Sequence, residues 1–163
     1  MIDKFTSLKY RQLLLKRHLV TMEAKSTFST FIQYLDSNYQ LKWFHKLIAD
    51  KCQAVFDGKI KRLMIFLPPQ HGKSQITSRF FPAWYLGNKP ETKLVIASYS
   101  GDLSASFCRD SQRILESEVY TDIFGQVIGG KGLVKNSEYF ETEGGGFYKS
   151  VGVGGSLTGR RGD

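Results

Sequence analysis

At 163 residues, 41% hydrophobic and 13% aromatic, the chain has the size of a single domain that can bury its own core, and its composition excludes intrinsic disorder. The formal net charge of +8 sits at one end: residues 1–62 hold twelve Lys/Arg against five Asp/Glu, a net of +7, leaving +1 for 63–163. No run approaches the roughly 18 apolar residues of a membrane span and the N-terminus lacks the apolar segment of a secretion signal, so a cytosolic protein without a membrane partner is expected.

Along residues 5–35, Phe5, Leu8, Leu15, Leu19 and Met22 recur at roughly helical spacing, with Lys9, Arg11, Lys16 and Arg17 among them. One or two helices are predicted, the second opening near Lys25 with a Ser or Thr cap. Such basic character favours contact with a polyanion such as DNA, the alternative being the solvated faces of surface helices. Trp43–Phe56 puts Phe44, Leu47, Ile48, Cys52 and Phe56 on one helical face and ends at Asp57-Gly58.

The next segment, RLMIFLPPQHGKS from Arg62 to Ser74, carries most of the information. Leu63–Leu67 is an unbroken apolar run of the kind that forms a buried strand, and Gly72-Lys73-Ser74 follows at what should be a helix start. A helix N-terminus offers unpaired N–H groups and the positive end of a dipole. In a phosphate-binding loop built this way, Gly72 lets the backbone approach the phosphates, Lys73 reaches the β- and γ-phosphates, and the Ser74 hydroxyl ligates Mg²⁺. The residues therefore predict binding of a nucleoside triphosphate, against the alternative of an ordinary turn capped by Gly72. One departure from G-x-x-x-x-G-K-[ST] is Leu67 in place of the first glycine.

Beyond the loop, SQITSRFFPAWYL can be helical at least to Phe81, and Phe80, Phe81, Trp84 and Tyr85 read as core rather than as a stacking platform for DNA. Lys93–Ser98 reads as a second buried strand and Asp102–Ser117 as a helix with Leu103, Phe107 and Ile114 inward. Two strand-loop-helix units in series predict a parallel α/β sheet. SEYFETE and FYKSVGV flank Gly144-Gly145-Gly146 as a β-hairpin before a glycine-rich tail. Cys52 and Cys108, 56 positions apart, suggest neither a zinc ribbon nor a disulfide and read as reduced packing residues. Asp110, Glu116 and Glu118 read as structural or solvated carboxylates.

Taken in order, these segments resemble the N-terminal ATPase part of a phage terminase large subunit. The resemblance runs from about Phe28 to Asp163 and rests on WFH at Trp43–His45, RLMIFLPPQHGKS, FPAWYLGNKP at Phe81–Pro90, VIASYSGDLS at Val95–Ser104 and GGFYKSVGVGGSLTGRRGD at the end. It implies an α/β fold: an incomplete P-loop NTPase (RecA/ASCE-like) parallel sheet with N-terminal helices and a C-terminal β-hairpin, organised as a basic helical arm at 1–36 and a partial ATPase domain at 37–163. It also implies ATP and Mg²⁺ as cofactors. The implied partners are double-stranded DNA, the terminase small subunit, the portal protein and other large subunits in a ring, in the bacterial host cytoplasm.

Several site residues follow from the same resemblance. Pro69, Gln70, His71, Gly72, Lys73 and Ser74 form the implied nucleotide loop, with Gln70 where similar proteins often carry Arg. Tyr39, Gln40, Trp43 and His45 fall where such ATPases place an adenine pocket; Gln40 suits a base edge, whereas His45 reads better as packing. Arg160 and Arg161 are candidates for an arginine that neutralises γ-phosphate charge, or else a basic loop facing DNA or solvent. No apolar strand ending in an acidic pair follows the loop, and Asp163 behind Arg160-Arg161-Gly162 cannot supply one. The resemblance thus implies a motor cut before Walker B, without a nuclease domain, able to bind ATP but not to hydrolyse it efficiently alone. The alternatives are a non-catalytic nucleotide- and DNA-binding remnant or a fragment of a superfamily 2 helicase-like ATPase.

Overall fold

A computed structural model describes residues 4–153. Helix α1 (Lys4–Ser26) is followed at once by α2 (Phe28–Leu35). Thr27 takes the expected N-cap position of α2, but its hydroxyl makes no capping bond. Instead the Gln53 side-chain oxygen accepts from the Phe28 N–H at 2.9 Å, satisfying an open donor of the helix start from another element. That element is α3 (Trp43–Phe56), which occupies the predicted span and buries Ile48 and Cys52, although Leu47 faces outward.

A π-helical turn, Gln75–Phe80, runs directly into α4 (Phe81–Asn88). Helicity continues past Phe81, with Pro82 in the first turn of α4 directly after the π-helical turn. Here the aromatic residues condense. Phe28 packs edge-on to Phe81 and 5.3 Å from the Trp84 ring, and Phe31 meets Tyr120 and Phe124 of α6 (Glu118–Phe124). Trp84 and Tyr120 are wholly buried, and each donates its polar hydrogen to a backbone carbonyl, that of Ala24 at 3.1 Å and that of Ala83 at 2.9 Å. These contacts bind α1, α2, α4 and α6 into one core; an Arg17–Asp122 ion pair closes the rim. Much of α1 lies outside that core, exposing Leu8, Leu13, Leu14, Leu15 and Leu19.

The sheet has three strands in the order β1-β3-β2: β1 (Lys93–Ser98), β2 (Tyr139–Glu141) and β3 (Phe147–Gly152). The predicted hairpin is present as the antiparallel pair β2–β3, while β1 joins β3 in parallel, so the sheet is mixed rather than parallel. Helix α5 (Gly101–Leu115) packs on β3 and starts at Ser100, whose hydroxyl accepts from the Leu103 N–H at 3.2 Å. Close approach explains the hairpin glycines: the Gly146 N–H donates to the Pro90 carbonyl at 3.1 Å, and a Cβ there would overlap the Pro90 and Thr92 carbonyls.

A second prediction is corrected as well. Leu63–Leu67 forms no strand among the described residues. Leu63, Ile65 and Leu67 pack on the core while Met64 and Phe66 stand 78% and 83% exposed, so the alternation of a strand survives without a ladder. A strand is defined by a hydrogen-bonded neighbour, and no described segment forms a ladder with this one. For the same reason β1 keeps one edge unpaired among the described residues.

Candidate functional site

The loop at 68–74 is held from below by the α2–α3 connection. His45 is buried at the start of α3, and its Nε2 lies 3.1 Å from the His71 carbonyl. A carbonyl only accepts, so Nε2 carries the proton and donates to the loop. Nδ1 accepts from the Lys42 N–H at 3.3 Å, the role left to it when Nε2 holds the proton, and lies 3.2 Å from the Gln40 carbonyl. Phe44 packs on both His45 and His71, and Tyr39 is wedged between His45 and Phe80. His45 is thus a buried packing residue, as expected, and one bonded to the loop backbone.

Gly72 is required at its position on two counts. Its φ is +74°, and a Cβ would lie 2.7 Å from the Tyr39 hydroxyl and 3.0 Å from His45 Nε2. Gln70 also adopts positive φ, +62°, a conformation that costs a residue with a side chain free energy and that collects at functional loops. The Tyr39 hydroxyl is buried with no hydrogen-bond partner among the described residues, and burial, then the Asp36 charge, raises its pKa. Gly72→Ala is expected to lower stability in urea denaturation by about 1–3 kcal/mol. Tyr39→Phe, which removes the obstructing oxygen, should be close to neutral alone and recover part of that loss in the double variant.

From Gly72 the chain turns into the helix. The Ile76 N–H donates to the Gly72 carbonyl at 3.1 Å, so the amides of residues 72–75 precede this helical bond, as the open donors of a helix start do. Lys73 and Ser74 are exposed, and Lys73 makes no ion pair among the described residues. Together with Pro69, Gln70 and His71 they line a cavity of about 450 Å³. Open amides, a glycine at positive φ and an unpaired ammonium make a donor set suited to a polyanion. Among the described residues no three His, Cys, Asp or Glu side chains are grouped to hold a metal, so a cation at the Ser74 hydroxyl would take its remaining ligands from phosphate oxygens and water.

Of the other sequence-derived candidates, Gln40 and Trp43 are exposed and neither lines the loop cavity, while Tyr39 and His45 turn inward beneath the loop. Arg160 and Arg161 lie outside the described residues. Phe80 and Trp84 are buried as core, and Phe81 and Tyr85 partly so. Both cysteines are free and buried, and burial pushes each thiol up to about 12, so neither is a thiolate near neutral pH. Sequence reasoning missed Gln75 and Arg79, which also line the loop cavity. Their four-residue separation would have paired them on one helical face.

These features define an α/β protein with a Gly-Lys-Ser helix start open to a cavity. Residues 64–134, from the apolar run through α6, match the family model described as terminase large subunit, T4likevirus-type, N-terminal. Over that segment the chain is similar to the N-terminal part of phage terminase large subunits, the family its motifs resemble. No curated protein and no solved structure matches the chain. Among the described residues no helix is long and apolar enough to cross a membrane.

Proposed function

We propose that residues 1–163 are the ATP-binding part of a terminase large subunit, the motor that packages double-stranded DNA into proheads in the host cytoplasm. On this reading the fold is part of a P-loop NTPase, with a basic arm at 1–36 and the nucleotide-binding unit from 37 onward. The observation that carries the reading is the Gly72-Lys73-Ser74 helix start, pinned by His45 and opening on its own cavity. ATP would lie with its phosphates against the amides of Gly72–Gln75 and the Lys73 ammonium, and Mg²⁺ would sit at the Ser74 hydroxyl. Mg²⁺ neutralises phosphate charge; the chain's own part is to position the triphosphate. Turnover needs, besides this loop, carboxylates that bind the metal and orient the attacking water. Arg160 or Arg161 would serve the γ-phosphate of a neighbour in the ring.

Titration with a fluorescent ATP analogue and competition with unlabelled ATP test this reading. Saturable, competed binding is expected; a signal that neither saturates nor competes contradicts it. The basic arm is proposed to contact DNA phosphates through exposed Lys9, Arg11 and Lys16. Replacing all three with Ala should lower the slope of log K against log salt for duplex DNA by about 3, close to one per lost phosphate contact. An unchanged slope would assign those charges to solvent.

A further inference from the structure

Arg79 stands in two cavities at once. It lines the loop cavity with Lys73 and Ser74, and it lines a neighbouring cavity of about 550 Å³ with Asp36, Asp110 and Arg113. Its Nε–H donates to Asp110 Oδ2 at 2.7 Å, one terminal nitrogen donates to Gln75 Oε1 at 3.1 Å, and its guanidinium lies 5.0 Å from the centre of the Phe107 ring. Five N–H groups and two bonds leave three donors without a hydrogen bond among the described residues. Asp110, in turn, is held twice: its other oxygen accepts from Arg113 at 3.0 Å. Asp110 would therefore keep a counter-charge if Arg79 turned away from it.

Resting on the nucleotide-binding reading, we infer that Arg79 is the second cation of the phosphate cavity, held in reserve by Asp110 and drawn to the polyphosphate when nucleotide binds. The loop lacks an arginine at Gln70, and Lys73 is the other cationic side chain lining the cavity besides histidine. The π-helical turn carries Arg79 and ends in Phe80, while Asp110 lies on α5, which packs on β3. Exchange of Arg79 between Asp110 and phosphate thus links occupancy of the loop to the helix that covers the sheet. π-turns recur at functional positions because they shift side chains out of the regular helical register.

The test uses the whole chain, with binding of ATP, ADP and AMP measured for wild type, Arg79→Ala, Arg79→Lys, Asp110→Asn and Lys73→Ala, each checked by thermal melt. A cation acting on the polyphosphate acts in proportion to its charge. Arg79→Ala should weaken ATP by at least tenfold, ADP by less and AMP hardly at all. Asp110→Asn, which frees Arg79 from its competitor, should tighten ATP several-fold, and Arg79→Lys should fall between wild type and Arg79→Ala. A purely structural Arg79 predicts equal losses for all three nucleotides and weaker binding in Asp110→Asn; either result overturns the inference. Should Arg79→Ala fail to fold, Asp110→Asn and Arg79→Lys decide alone. Wild type that binds and loses ATP in Lys73→Ala, with no effect at Arg79, removes this inference only; wild type that binds no nucleotide removes both.

Discussion

Lys73→Ala is expected to weaken ATP binding by about a hundredfold or more while leaving the melting temperature within a degree or two of wild type. The asymmetry follows from where the side chain stands. Lys73 is exposed and makes no ion pair among the described residues, so its removal opens no cavity and orphans no partner. Against a triphosphate, the same ammonium would make charge-assisted bonds worth about 1.5–3 kcal/mol each, and two of these are enough for a hundredfold change. Competition titration and a melt on one preparation measure both quantities. Equal affinity in the variant would remove the lysine from the site; a large drop in melting temperature would make it a structural residue instead.

The largest loss of stability is expected at Trp84→Ala, about 3–5 kcal/mol or more. The indole is wholly buried between Phe28, Phe56 and Phe81, and its N–H satisfies the Ala24 carbonyl across 60 positions of chain. Truncation removes aromatic contact on several sides and leaves that carbonyl unpaired in the core. Domains of this size have about 5–15 kcal/mol in total, so the variant should be largely unfolded at physiological temperature. Near-ultraviolet circular dichroism and urea denaturation would show it. A loss below about 1 kcal/mol would mean that the aromatic cluster does not join α1 to α4 as described.

The contrast between these two residues shows what the sequence could reveal. Trp43–Phe56 was legible end to end because its apolar spacing, its breaker at Gly58 and its length agree. The hairpin was legible for a like reason, with glycines where its turn meets Pro90. Leu63–Leu67 was not. Its residues satisfy every local rule for a strand, but a ladder partner is a property of distant chain, and composition carries no record of whether one is present. α1 misled in another way: Leu8, Leu15 and Leu19 keep helical spacing yet lie exposed, because spacing reports a face and not what covers it.

At the candidate site, Gly72, Lys73 and Ser74 could be picked out directly because the roles proposed for them depend on backbone freedom and side-chain type. The hydrogen bond from His45 to the His71 carbonyl spans 26 positions, and the Arg79–Asp110 pair spans 31. Both arise where elements cross, which periodicity within one element does not describe. Asp110, read from sequence as structural or solvated, has two arginines on one carboxylate.

The most direct measurement is of the amides themselves. In a ¹⁵N-labelled sample titrated with ATP and Mg²⁺, the largest chemical-shift changes should fall on Gly72, Lys73, Ser74 and Gln75, with ADP giving the same pattern at smaller amplitude. Changes confined to α1, or a spectrum unmoved by millimolar nucleotide, would show that the turn before the π-helix does not grip phosphate.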